Sequence, residues 1–124
     1  MKILVVDDDP IIRKLLSEVL INDGHQVEAR ENGKEALEEV KRQAFNLVFM
    51  DVHMPVMNGL EALVAMRALF QEINVAMMDS YPDKLAAQSQ EEGAITCMHK
   101  PFDLKQIREI IGKVETPVIN EKRI

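Results

Sequence analysis

Residues 2–24 read KILVVDDDPIIRKLLSEVLINDG: an apolar run from Ile3 to Val6, then Asp7, Asp8 and Asp9, then Pro10 and an amphipathic stretch. In that stretch Ile11, Ile12, Leu15, Leu16, Val19 and Leu20 recur at i, i+1, i+4, i+5, i+8 and i+9, the period of a helix. Asp9 is placed to cap it, Pro10 fits its first turn, and Gly24 ends it. A short strand passing directly into a helix is one βα unit. Four further apolar runs, Gln26 to Ala29, Leu47 to Met50, Val75 to Met78 and Ala94 to Met98, alternate with helical patterns downstream. Five such units predict an α/β fold around a parallel sheet. Ile3–Val6, Leu47–Met50 and Val75–Met78 contain no polar residue and read as central strands covered on both faces, whereas the mixed Gln26–Ala29 run suits an edge.

The later helices are marked by Ala36, Leu37 and Val40, then by Leu60, Leu63 and Val64 after an Asn58-Gly59 turn. A weaker one runs from about Asp83 to Glu92. The last opens with a capping box from Asp103 to Gln106 ahead of Ile107, Ile110, Ile111 and Val114, and its pattern stops beyond Gly112. These boundaries assign residues 1–114 to the domain and residues 115–124, with Pro117 and mixed charge, to a frayed or extended tail.

A length of 124 residues suits one domain with a single core. Fifteen Lys and Arg against 21 Asp and Glu give a net charge of −6, which is the wrong field for direct nucleic-acid binding. The single cysteine, Cys97, closes no internal disulfide, and no Cys/His cluster has zinc spacing. The longest unbroken apolar run, Ala62 to Met66, is too short for a membrane span, and the Ile3–Val6 run is too short for a signal-peptide core. A soluble cytoplasmic domain is expected. Met50, Met66, Met77, Met78 and Met98 fall in apolar runs and read as core filler.

Ligands of open parallel sheets bind at the carboxyl ends of the strands. The first strand ends in Asp7, Asp8 and Asp9, the third in Asp51, the fourth in Asp79 and Ser80, and the fifth in His99, Lys100 and Pro101. Carboxylates gathered at one rim repel one another. A hard divalent cation with oxygen ligands, Mg²⁺ above all, relieves that repulsion, and Lys100 adds a second positive charge.

The segments Ile3–Pro10, Met50-Asp-Val-His-Met-Pro-Val-Met-Asn-Gly59 and His99-Lys-Pro-Phe-Asp103 resemble those of the bacterial two-component response-regulator receiver domain, over residues 2 to about 114. The resemblance is to stand-alone receivers of the chemotaxis and sporulation-phosphorelay kind. It implies a flavodoxin-like (βα)5 fold with strand order 2-1-3-4-5. It implies that Asp51 accepts a phosphoryl group from the phosphohistidine of a kinase or phosphotransfer protein. It further implies Asp7 and Asp8 as the acidic pair, Asp8, Asp51 and the His53 backbone carbonyl as Mg²⁺ ligands, and Lys100 as a contact to the phosphoryl oxygens. A carboxylate is a competent nucleophile for forming an acyl phosphate, and phosphoryl transfer otherwise asks a protein for positioning and charge neutralisation.

Two positions depart from the family pattern. Asp79 aligns where receivers carry a Thr or Ser whose hydroxyl binds the phosphoryl group. A lost neutral hydrogen bond costs about 1 kcal/mol, whereas a carboxylate about 4 Å from the phosphoryl group costs roughly 4 kcal/mol at an effective dielectric near 20, before Mg²⁺ and Lys100 offset it. Charge therefore dominates over the missing hydroxyl. Three outcomes are open for this corner: Asp79 pairs with Lys100, Ser80 supplies the hydroxyl, or Asp79 points to solvent and caps the following turn. The second departure is Cys97, where the family carries an aromatic that swings inward on phosphorylation. It reads as a small buried hydrophobe, so the usual switching of the surface formed by the fourth helix and fifth strand is expected to be weak or different.

The His53 ring reads as a solvent-facing loop group, His25 and His99 as ordinary strand-end residues, and Tyr81 as a loop residue. The first helix carries an apolar arc wider than core contact needs, so part of it should be exposed. Its Ile11 and Leu15 edge is the candidate docking surface for the donor's phosphohistidine-bearing helix. Covering the sheet margin is the competing role. The whole reads as a phosphorylation-controlled relay acting through protein contacts with a kinase or phosphotransfer protein and a downstream protein target, with no role for nucleic acid or membrane and no enzymatic turnover. The rivals are a pseudo-receiver that no longer takes phosphate and a phosphatase of the haloacid-dehalogenase type. The latter matches Asp7-Asp8-Asp9 but leaves the Asp51 loop unexplained.

Overall fold

The computed structural model describes residues 1–80 and 83–115. Strands and helices alternate as β1 (Lys2–Val6), α1 (Pro10–Asn22), β2 (Gln26–Arg30), α2 (Gly33–Arg42), β3 (Leu47–Asp51), α3 (Gly59–Leu69), β4 (Val75–Asp79), α4 (Lys84–Glu91), β5 (Thr96–His99) and α5 (Leu104–Glu115). The five strands form one parallel sheet in the order β2-β1-β3-β4-β5. This is the order the motifs implied, with the mixed β2 at one edge.

Side-chain alternation along the strands sorts the core into two layers. Leu4, Val6, Val48, Met50, Val75 and Met77 pack beneath α2, α3 and α4 through Ala36, Val40, Leu63, Met66 and Ala86. Ile3, Val5, Leu47, Phe49, Ala76 and Met78 pack beneath α1 and α5 through Leu16, Leu20, Ile107, Ile110 and Ile111. Phe49 and the apolar residues of β1, β3 and β4 from Ile3 onward are fully buried.

The caps follow the sequence. Asp9 accepts from the Ile11 N–H at 2.9 Å, with Pro10 as first residue of α1, and Gly24 past its end has φ +94°. Asp103 and Gln106 bond reciprocally at 3.0 and 2.9 Å ahead of α5. Three boundaries need correction. Asn58 and Gly59 form no separate turn; Asn58 caps α3 in a capping box with Glu61, and Gly59 is the first helical residue. The fifth strand begins at Thr96 rather than Ala94, because the Ala94 N–H still bonds back to the α4 residue Ser89 at 3.1 Å. The last helix runs through Gly112 to Glu115, since a mid-helix glycine costs only about 1 kcal/mol. Tyr81 and the expected tail beyond Glu115 lie outside the described residues.

Candidate functional site

Because β1 and β3 are neighbours, with Val6 opposite Met50, the residues that follow them meet at the carboxyl rim. One carboxylate oxygen from each of Asp7, Asp8 and Asp51 lies within 4.8 Å of the others. Asp7 and Asp51 are buried, while Asp8 is exposed at the mouth. Lys100 reaches in from the β5–α5 loop. Its Nζ donates to Asp7 Oδ2 at 2.8 Å and lies 3.6 Å from Asp51 Oδ2. The other Asp7 oxygen accepts the Asp9 N–H at 2.9 Å, and Arg13 donates to the Asp7 carbonyl at 2.7 Å, which fixes the acidic turn. Asp7, Asp8, Asp51 and Lys100 thus meet at this rim as expected.

The electrostatics follow from burial. Loss of hydration, reinforced by the charge of Asp7, pushes the Asp51 carboxyl up to about 7, against the pull of Lys100 and with Asp8 adding to the rise. Burial opposes the Lys100 charge as well, but its hydrogen bond to Asp7 and the charge of Asp51 outweigh it and hold the ammonium above its ordinary value. Three acids facing one lysine leave uncompensated negative charge. All three offer hard oxygen ligands at close range, a donor set that fits Mg²⁺.

The loop after Asp51 is braced on several sides. Gly59 N–H bonds the Val52 carbonyl at 2.8 Å, and Gly33 N–H at the start of α2 bonds the Met57 carbonyl at 3.2 Å. His53 Nε2 lies 2.8 Å from Asp83 Oδ2, while the other Asp83 oxygen caps α4 through Ala86 N–H. His53 is therefore partly buried and tied to α4, not the solvent-facing group expected. Val56 has φ +72°, and around it Met57 N–H closes a tight turn onto the Pro55 carbonyl at 2.8 Å. A left-handed conformation costs a non-glycine residue about 1–2 kcal/mol, so the bracing holds this loop in a shape its own backbone disfavours.

Asp79 takes neither of its two expected placements. It is fully buried, so it does not face solvent, and it does not pair with Lys100. By strand alternation it continues the row of Val75 and Met77 toward α4, whereas Asp51 continues the opposite row of Leu47 and Phe49. Both its oxygens are taken from β5: His99 Nδ1 lies 2.7 Å from Oδ1, and Cys97 Sγ donates to Oδ2 at 2.9 Å. Burial, with the Asp79 hydrogen bond added, pushes the Cys97 thiol up to about 12, so it stays protonated as a donor. Cys97 is partly buried and packed against the α4-side core rather than a fully buried hydrophobe, and it carries a polar role as well. The pairing of His99 is a feature that reading along the sequence missed. Only the register, Asp79 opposite His99, exposes it. Ser80 is exposed directly after β4.

Among the described residues no helix is long and apolar enough to cross a membrane. A family profile described as "Response regulator receiver domain" matches residues 3–112. The chain is 39% identical over 113 residues to sporulation initiation phosphotransferase F of Bacillus subtilis, covering 90% of this chain and 91% of that protein. It is 31% identical over 114 residues to chemotaxis protein CheY of the same organism, covering 90% and 95%. Among solved structures, the response regulator protein TrrA of Thermotoga maritima, in complex with Mg²⁺ and BeF, matches with a TM-score of 0.84 at 32% identity, covering 91% of this chain and 97% of that one.

Proposed function

The chain belongs to the response regulator receiver domain family, the phosphoacceptor modules of two-component signalling, and from that premise we propose that Asp51 is the residue that takes the phosphoryl group. The observation that carries this reading is the convergence of Asp7, Asp8 and Asp51 within 4.8 Å, with Lys100 Nζ against two of them. Asp7, Asp8, Asp51 and the His53 backbone carbonyl would hold Mg²⁺, as a structural relative holds Mg²⁺ and BeF. Bound there, the ion supplies positive charge between the carboxylates and the phosphoryl oxygens.

In the transfer, an Asp51 carboxylate oxygen bonds to phosphorus as the P–N bond of the donor's protonated phosphohistidine breaks. The imidazole leaves neutral, keeping the proton on its remote nitrogen. Lys100 draws the phosphoryl oxygens and pulls Asp51 toward its ionised form against burial and Asp7, which matters because only the carboxylate is nucleophilic. Ser80 is the hydroxyl available at the end of β4, while Asp79, turned to β5, acts from outside the pocket. The receiver unit spans residues 1–114 with a tail at 115–124, works in the cytoplasm, and signals through protein contacts rather than by turnover. Incubation with Mg²⁺ and acetyl phosphate adds one phosphoryl mass to the wild type. The adduct is absent with EDTA and absent from Asp51→Asn. An unmodified wild type would favour the pseudo-receiver reading.

The donor, a histidine kinase or histidine phosphotransfer protein, docks on the outer edge of α1. Ile11 and Leu15 are 73% and 57% exposed there, beside an apolar groove of about 520 Å³ lined by Leu15, Val19, Phe102 and Ile107. Placing a charge in such an apolar contact typically costs 1–2 kcal/mol or more, so Ile11→Asp should slow transfer from a phosphorylated histidine phosphotransfer protein by about tenfold. An unchanged transfer rate removes the docking assignment.

A further inference from the structure

Asp79 sits one residue beyond Met78, the residue opposite Asp51, on the adjacent strand. Strands are separated by about 4.8 Å, so this fourth acid stands at the wall of a pocket that already holds three. Its own backbone carbonyl accepts the Lys100 N–H at 2.6 Å, which brings the lysine main chain alongside it. A buried carboxylate left without partners would draw a neighbouring cation, and Lys100 is the one whose backbone bonds Asp79 directly. Yet the Lys100 ammonium is spent on Asp7 and Asp51. The reason lies on β5, where Cys97 satisfies one Asp79 oxygen and His99 the other. The thiol is a weak donor, so the imidazole carries the larger share. The His99 side chain is otherwise 63% exposed, which leaves Asp79 as the feature that fixes its ring.

We propose that His99 is a positioning residue for the reaction at Asp51: by clasping Asp79 sideways onto β5, it keeps a fourth carboxylate from competing for the Lys100 ammonium. The family resemblance assigns no such role to this position, and the inference rests on Asp51 being the phosphoacceptor. It explains how an acid is tolerated where charge considerations forbid one beside a phosphoryl group. With Cys97 and His99 on its two oxygens, Asp79 makes no ion pair with the Lys100 ammonium, which stays with Asp7 and Asp51.

The test follows phosphorylation by acetyl phosphate and Mg²⁺ with intact-mass kinetics, on the full chain and per folded molecule as judged by circular dichroism. His99→Ala should lower the rate about tenfold, which corresponds to about 1.4 kcal/mol in the barrier. His99→Gln, which keeps a donor, should retain most of the rate, and the double variant His99→Ala with Asp79→Asn should return to within about twofold of wild type. A merely structural His99 would not be rescued by neutralising Asp79. Should His99→Ala fail to fold, His99→Phe, which keeps bulk without a donor, replaces it under the same expectations. The proposal is overturned if the donorless variant matches wild type within about twofold, or if its loss persists in the double variant. A wild type that takes no phosphoryl group removes the Asp51 reading and this inference with it. A wild type that is modified, but at the same rate as His99→Ala or its donorless replacement, removes this inference alone.

Discussion

Replacing Asp51 with Asn makes the folded protein more stable at pH 8 in the absence of divalent ions, by roughly 2–4 kcal/mol, and removes a fall in stability that the wild type shows between about pH 4 and above pH 7. Burial and Asp7 push the Asp51 carboxyl up to about 7. Below the ordinary carboxylate range both folded and unfolded chains carry the proton, and the group is neutral in the balance. As pH rises, the unfolded chain releases its proton first, while the folded state holds on until pH passes about 7. The folded state binds more protons across that window, so its stability drops as pH increases. Each unit of displacement amounts to about 1.4 kcal/mol, which sets a ceiling near 4 kcal/mol. Water reaching the pocket past exposed Asp8 brings the figure toward the lower end. Denaturant unfolding in EDTA at a series of pH values reads the effect directly, and Mg²⁺ should narrow the gap by stabilising the wild type selectively. Parallel curves for the two proteins would mean that Asp51 is not a strained acid.

Gly59→Ala should be the most damaging small substitution in the loop that follows Asp51. A Cβ at Gly59 would collide with the Asp51 carbonyl oxygen and lie 2.9 Å from Met77 Cε. The methionine can turn aside, but the backbone oxygen belongs to the strand that presents Asp51 and cannot. The clash must push α3 away from β3 and break the 2.8 Å bond from Gly59 N–H to the Val52 carbonyl. Overpacking of this kind costs about 3 kcal/mol, equivalent to a fall in Tm on the order of 10 °C in a domain of this size. Thermal unfolding should register that loss, and the rate of acetyl-phosphate labelling should fall with it as Asp51 is displaced. A Tm within about 2 °C of wild type would show that the loop relaxes freely.

The elements that could be read from the chain are those encoded locally. The unbroken apolar runs at Ile3–Val6, Leu47–Met50 and Val75–Met78 became buried central strands because nothing else covers such residues. The Asp9-Pro10 and Asp103–Gln106 caps depend on spacings of one and three residues, and both formed. The acidic pocket was legible because strand ends in a parallel sheet are known to converge. What stayed hidden depends on register between strands far apart in sequence. That Asp79 turns to His99 and Cys97 rather than to Lys100 follows from the pairing of β4 with β5 and from which face each row occupies. The His53–Asp83 contact joins two loops separated by 30 positions, with no local pattern to announce it. Once the strand order is fixed, alternation along β4 and β5 would have predicted the first of these. The second needs the loop geometry itself.

On the proposed reading, charge gathered at the carboxyl rim singles out one aspartate, Asp51, to carry phosphorus. After labelling with acetyl phosphate and Mg²⁺, borohydride reduction of the acyl phosphate followed by peptide mapping reads the modified position directly. A single reduced residue is expected, at Asp51. Reduction at Asp7, Asp8 or Asp79 instead, or a phosphoryl group recovered on a histidine, would contradict it.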